Sequence, residues 1–232
     1  MIRQWMLALS ALAATPAMAQ NQCRIPDRIP PARAIFPPPG SAVIAPKTGH
    51  VLALSWSPQF CKENGDDRRS ASQCRDQQFG FILHGLWADG PGRNNPKWCK
   101  KVGEVPDDVL RKNFCATPSI GLMRHEWAKH GSCVESDPER YFRAGNSLFS
   151  ALRFPDITAL SRVPLSAGAF RAALAAANPG MTANMFGIQL TPLGWLEEVR
   201  VCLAVDYRAR PCPGDASGVD DSAKVRIWRS GG

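Results

Sequence analysis

The chain has 232 residues, eight cysteines and a net charge of +8, with 44% hydrophobic and 21% charged residues. That balance excludes a low-complexity or disordered chain and gives enough length for one domain with its own core. The basic excess suits a polyanionic partner such as nucleic acid or an anionic surface, but a modest excess also serves solubility alone, so charge does not decide the function.

The chain opens with Arg3, an apolar run from Trp5 to Ala14, and Ala17-Met18-Ala19. A positive charge, a short apolar core and a small-x-small site are the three parts of a secretory signal peptide, with cleavage expected between Ala19 and Gln20. The run is too short to span a bilayer, and no later stretch is long and apolar enough to do so. The expected product is a periplasmic or secreted protein of 213 residues and charge +7, without membrane insertion. Residues 20–48 hold seven prolines, including Pro37-Pro38-Pro39. They read as an extended, partly disordered lead-in, with Cys23 able to tie it down. A single domain is expected over 49–232.

In that domain VLALSW reads as a buried strand,. KENGDDRRSASQ reads as a solvated, charged excursion, and FGFILHGLW as a second strand ending at His84-Gly85. ADGPGRNNPK is a loop,. Helices are expected from Pro106 toward Phe114, over about Ile120 to Gly131, after Asp137 with Pro138 at the first helical position, and from Ser166 to Ala177,. The chain then returns to strands: MFGIQLT, a turn at Thr191 to Gly194, WLEEVRVCLAVDY, and KVRIW as a last edge strand. Strands, then helices, then strands predict an α+β fold, an antiparallel sheet packed by several helices.

An even cysteine count in an exported chain reads as disulfides. Cys202 and Cys212 flank a short polar turn, and Cys61 and Cys74 bracket the charged loop. Each couple is expected to pair. Spacing leaves Cys23, Cys99, Cys115 and Cys133 unconnected. No C-x-x-C pair exists, so a zinc ribbon or thioredoxin-like site is not expected,.

The chain has four histidines. His50 lies at the start of the first strand without polar company and is expected to be structural. On the helix carrying HEWAKHGSC, with His125 at zero and about 100° per residue, Lys129 falls near about 40°, Cys133 about 80°, Glu126 about 100° and His130 about 140°,. Two imidazoles, a carboxylate and an ammonium therefore share less than half the circumference, while Trp127 and Ala128 point to the core. An ordinary polar helix face would explain any one of these residues, but less readily the set. His84 sits beside Gly85, which removes bulk next to it. Trp87 and Asp89 follow, a base-stacking ring and an acceptor for a base amine.

His125 and His130 are five apart, about 140° around a helix, with a lysine between them, so neither a metal nor another cofactor is expected. No G-x-S-x-G elbow supports a serine nucleophile. Two imidazoles with a cationic helper suit transphosphorylation of RNA. A base takes the 2′-hydroxyl proton, the oxygen attacks the adjacent phosphorus, and an acid protonates the departing 5′-oxygen.

FILHGLWADG and HEWAKHGSC resemble the two active-site signatures of the ribonuclease T2 family, and VLALSWSPQFC resembles the strand before the first, as in its bacterial periplasmic members. The match spans about residues 51–142, with a weaker one from WLEEVRVC to Cys212. It departs at Ala88, where the family usually has proline. The resemblance implies His130 as general base and His84 as general acid, although the residues themselves leave that order open. It also implies His125 as a phosphate-binding group, Glu126 and Lys129 as transition-state stabilisers, and Trp87 and Asp89 as base contacts. It favours Cys99 with Cys133, which leaves Cys23 with Cys115. The function implied is a monomeric, metal-independent endoribonuclease that forms 2′,3′-cyclic phosphates and then 3′-phosphates. The alternative is a T2-like domain that binds RNA without cutting it.

Overall fold

The computed structural model describes residues 23–32, 35–92 and 94–229; the expected signal peptide lies outside them. Four strands, β1 (Gly49–Trp56), β2 (Phe81–Asp89), β3 (Phe186–Leu190) and β4 (Leu196–Leu203), form one antiparallel sheet in the order β2-β1-β4-β3. The helices are α1 (Ser57–Asn64), α2 (Ala71–Cys74), α3 (Asp107–Asn113), α4 (Ile120–Glu126), α5 (Ser132–Val134), α6 (Pro138–Ala151), α7 (Ile157–Leu160) and α8 (Ala167–Ala177). The fold is α+β, as the element order predicts.

Alternation along the strands separates two faces. Leu52, Leu54, Leu83, Leu86, Val199 and Val201 bury their side chains against Phe114, Met123, Trp127, Phe170 and Leu174 of the helical layer. The opposite face carries Val51 and Cys202, packed with Ala216, Trp87 and Cys212. Helix starts follow side-chain chemistry. Ser119 accepts from Leu122 N, Asp137 from Arg140 N with Pro138 next in line, and Ser166 from Ala169 N, each satisfying an amide that the helix leaves open.

The four disulfides are Cys23–Cys115, Cys61–Cys74, Cys99–Cys133 and Cys202–Cys212, the pairing expected. Cys23–Cys115 fastens the lead-in. Arg111 donates to the carbonyls of Pro26 (2.8 Å) and Asp27 (2.7 Å), and Val43 and Lys97 exchange backbone bonds of 2.9 and 3.1 Å. The described part of the lead-in is therefore docked, not disordered: proline keeps it extended, while side chains and a covalent bond hold it.

Three further expectations are corrected. The charged excursion is largely helical, because Pro58 suits a first turn, Asp67 caps a 3-10 turn at Arg68–Ser70, and Cys61–Cys74 closes the loop,. KVRIW is not a sheet strand. Its backbone bonds divide between Leu165 on one side and Gly194 and Leu196 on the other, so no continuous ladder forms although Val225 and Ile227 are buried. β2 does not end at His84-Gly85 but runs to Asp89.

Candidate active site

That longer β2 contains an irregularity at the residue of interest. Ala53 pairs with Gly85 and Leu54 with Leu83, so His84 is an extra residue in the ladder. Such a bulge bends the strand and re-aims the side chain it carries. His84 thus turns to the non-core face, partly exposed, while Leu83 and Leu86 stay in the core.

The second segment is irregular too. α4 stops at Glu126 and continues as one π-helical turn, Trp127–Gly131. Bonding from i to i+5 makes each residue advance less than in an α-helix. Lys129 and His130 are therefore rotated back toward His125 and Glu126, and the polar arc is tighter than an ideal helix gives. Trp127 and Ala128 are buried, as expected. Cys99–Cys133 and a 2.6 Å bond from Trp98 N to Lys129 O hold the turn against the 98–99 segment.

Bulge and π-turn meet in a cleft of about 430 Å³ lined by His84, Trp87, His125, Glu126, Lys129, His130, Asn95, Lys97 and Arg200. The Trp87 indole stands between the two expected proton carriers. It stacks on His130 at 5.0 Å and meets His84 edge-on at 5.2 Å, while its Nε1 donates to Glu126 Oε2 at 2.6 Å. The other Glu126 oxygen lies 3.6 Å from His84 Nε2. Gly85 makes this possible, since a Cβ there would overlap the Glu126 carboxylate and the Trp87 indole. His125 meets Trp98 edge-on at 5.5 Å.

The surroundings shift the two imidazoles in opposite directions. Burial works against the charged form of His84, but a hydrogen bond to Glu198 and the charges of Glu126 and Glu198 outweigh it and raise its pKa. His130 is lowered to about 2 by burial and by the charges of Lys129, His84, His125 and Lys97. Burial, Lys129 and His84 lower His125 as well. Burial raises Glu126, partly offset by His84, Trp87 and Lys129.

Asp89 does not line this cleft. Its carboxylate is buried, pairs with Arg210 and borders an adjoining cleft with Thr48, Gly90 and Pro213. Trp87 lines the histidine cleft but already spends its ring on histidine and its N–H on Glu126. Ala88 keeps the backbone donor that a proline would lack, and β2 passes through it unbroken,. His50 is fully buried, stacked on Tyr207 at 4.6 Å, with Nδ1 3.2 Å from the Ala204 carbonyl. Among the described residues no three His, Cys, Asp or Glu side chains group as metal ligands, and no helix is long and apolar enough to cross a membrane.

Sequence reasoning missed Glu198 and Arg200 of β4 and Asn95 and Lys97 of the glycine- and proline-rich loop. The β4 pair left a signal: Val199, Val201 and Leu203 occupy one face, so two charges at alternate positions of a core strand must share the other. A further cleft of about 480 Å³, between the lead-in and α4, contains Trp98, Arg124 and Trp127 but no histidine.

A family model described as the ribonuclease T2 family matches residues 49–166. The chain is 33% identical over 129 residues to a probable ribonuclease of Haemophilus influenzae, covering 50% of this chain and 47% of the relative. It is 42% identical over 85 residues to a ribonuclease of Aeromonas hydrophila, covering 36% of each, and 28% identical over 132 residues to ribonuclease I of Escherichia coli, covering 40% and 49%. The chain thus spans half or less of the length of these curated relatives. In fold it is similar to trichomaglin, described as an S-like ribonuclease, with a TM-score of 0.62 and 18% identity over 78% of this chain and 97% of that one. Human RNase T2 gives 0.58 and 19% over 78% and 97%.

Proposed function

The chain belongs to the ribonuclease T2 family, and from that membership we propose that it is an endoribonuclease cutting single-stranded RNA by transphosphorylation, with His130 as general base and His84 as general acid. The observation that carries the reading is the placement of the two imidazoles on either side of Trp87, His84 against two carboxylates and His130 buried beside Lys129. His130, with a pKa lowered to about 2, is neutral at pH 7 and able to accept a proton. His84, whose pKa is raised by the hydrogen bond to Glu198 and the charges of Glu126 and Glu198 against its burial, is the one set up to give a proton.

His130 removes the proton from a ribose 2′-hydroxyl. The 2′-oxygen bonds to phosphorus, the bond from phosphorus to the 5′-oxygen breaks, and His84 protonates that oxygen. Lys129 and His125 meet the non-bridging oxygens and stabilise their added negative charge. A bound phosphate also opposes the positive field that depresses His130, so its basicity rises when substrate is present. Glu126, tied to Trp87 and facing His84, keeps bulge and π-turn in register. The Asp89–Arg210 pair lines the adjoining cleft, where a neighbouring base is received.

Export through residues 1–19 to the periplasm or medium fits the four disulfides, which persist in oxidising compartments,. Action as a monomer without metal completes the reading. The test is purified mature protein on RNA with EDTA present and the new ends identified. Unchanged cleavage leaving 2′,3′-cyclic phosphates, later 3′-phosphates, is expected. Activity lost with EDTA and restored by a divalent ion would overturn the reading, and RNA binding with no cleavage would favour the non-catalytic alternative.

A further inference from the structure

The acid–base scheme leaves unused the residue with the shortest polar contact to either catalytic imidazole. Glu198 Oε2 accepts from His84 Nδ1 at 2.7 Å, and Glu198 Oε1 accepts from Arg200 Nε at 2.8 Å. The side chain is only 8% exposed. Burying a carboxylate is costly unless both oxygens are satisfied, and both are.

The contact is built by the sheet. β4 lies beyond β1 from β2, so the two side chains must meet across β1. The β1 residues between them are small: Ser55 pairs with Glu198, and Ala53 pairs with both Gly85 and Arg200. The bulge turns His84 out of the ladder toward this trough. Arg200 is fixed in turn, its Nη1 donating to the Asp215 carbonyl at 3.2 Å and its guanidinium 5.4 Å from the Trp87 ring.

We propose that Glu198 is a positioning residue for His84, fixing the imidazole with Nδ1–H directed at the carboxylate so that Nε2 carries the proton given to the leaving 5′-oxygen, with Arg200 holding Glu198 in place. The proposal rests on the ribonuclease reading above for what Nε2 does, but not for the contact itself. When Nε2 gives up its proton, His84 becomes neutral and Nδ1–H still donates to an ionised Glu198, so the ring need not turn before it is reprotonated. A carboxylate behind a histidine selects the tautomer and stabilises the cation in this way in other acid–base sites.

The charges facing His84 come from every neighbouring element: Glu126 and His125 of α4, Lys129 and His130 of the π-turn, and Glu198 and Arg200 of β4, with the Tyr141 hydroxyl of α6 bonded to Leu86 N beside it. The two carboxylates outweigh the cations in raising the His84 pKa. Glu198 itself is held ionised, because the hydrogen bond and charge of His84 and the Arg200 guanidinium overcome its burial.

Two measurements on the mature protein test this. The His84 imidazole is titrated by NMR, and kcat/KM for RNA cleavage is followed against pH, in wild type, Glu198→Gln and Glu198→Ala. Wild-type His84 should titrate above 6.5, with a downfield Nδ1 proton. Glu198→Gln, which can still accept from Nδ1–H, should lower the His84 pKa and the alkaline limb of activity together by about one unit or more. Activity above the limb should then fall about tenfold, in kcat more than KM. Glu198→Ala should add a loss at every pH. A purely structural Glu198 would lower activity equally at all pH values and leave the limb in place, which would overturn the proposal. If Glu198→Gln does not fold, the wild-type titration decides, and a His84 pKa at or below 6.5 overturns it. Wild-type protein without ribonuclease activity would defeat the functional reading alone, since the titration would still report the contact.

Discussion

His84 and His130 touch the same indole but need different surroundings for the tasks proposed for them. A general acid must keep its proton until the leaving group needs it, and a general base must be neutral when substrate arrives. The carboxylates beside His84, and burial together with Lys129 at His130, suit the proposed division. Replacing either by alanine should lower kcat by about 10²–10⁴ or more while far-UV circular dichroism still shows a folded protein. Near-normal turnover in pure His130→Ala protein would count against the assignment. His50→Ala should retain turnover, because that ring packs on Tyr207 outside the cleft.

At the scale of elements, two departures from regular geometry build the site. The bulge at His84 and the π-turn at Trp127–Gly131 each place chemistry where a regular strand or helix would not. Gly85 leaves the room in which they meet. Gly85→Ala should drive a methyl into the Glu126–Trp87 bond, costing about 1–3 kcal/mol in a denaturant melt and reducing turnover with it. Unchanged turnover would mean that this bond is not needed to keep the histidines in register.

The same two departures mark the limit of what residues alone disclose. The helices after Asp137 and Ser166 were legible because their caps are local: one side chain meets one amide three residues on. The histidine cluster was legible because two imidazoles, a carboxylate and an ammonium share one arc of the helix, a set that an ordinary polar face explains less readily,. The bulge was not, since it depends on the pairing of Ala53 and Leu54, some thirty positions earlier, as well as on β2. Glu198 was missed for a related reason: its partner lies 114 residues away across another strand. The pairing of Asp89 with Arg210 was hidden in the same way, since the two lie far apart in sequence.

For the whole molecule, pH acts on stability through the buried histidines. Burial and the charges of Lys47 and Arg210 lower His50 from 6.5 to about 4, against the pull of the Ala204 carbonyl. A histidine depressed on folding stabilises fully above its unfolded value and loses that contribution as pH falls toward the folded value. Unfolding free energy should therefore decline from pH 6.5 to about 4, with His130 extending the decline and His84, shifted the other way, opposing it. His50→Phe keeps a ring on Tyr207 and cannot charge, so urea melts at pH 7 and pH 4.5 should differ less than in wild type. An equal difference would show that His50 is not a source of the acid sensitivity.

A net charge of +8 attracts phosphates whatever the sugar, so single-stranded DNA should bind weakly and in a salt-dependent way without being cut. The sugar therefore separates the proposed reaction from attack by water. The most direct measurement uses an RNA strand with a single 2′-deoxy position inside it. The account predicts cleavage at the neighbouring sites with 2′,3′-cyclic phosphate ends and none at the deoxy position. Cleavage there would contradict the roles assigned to His84 and His130.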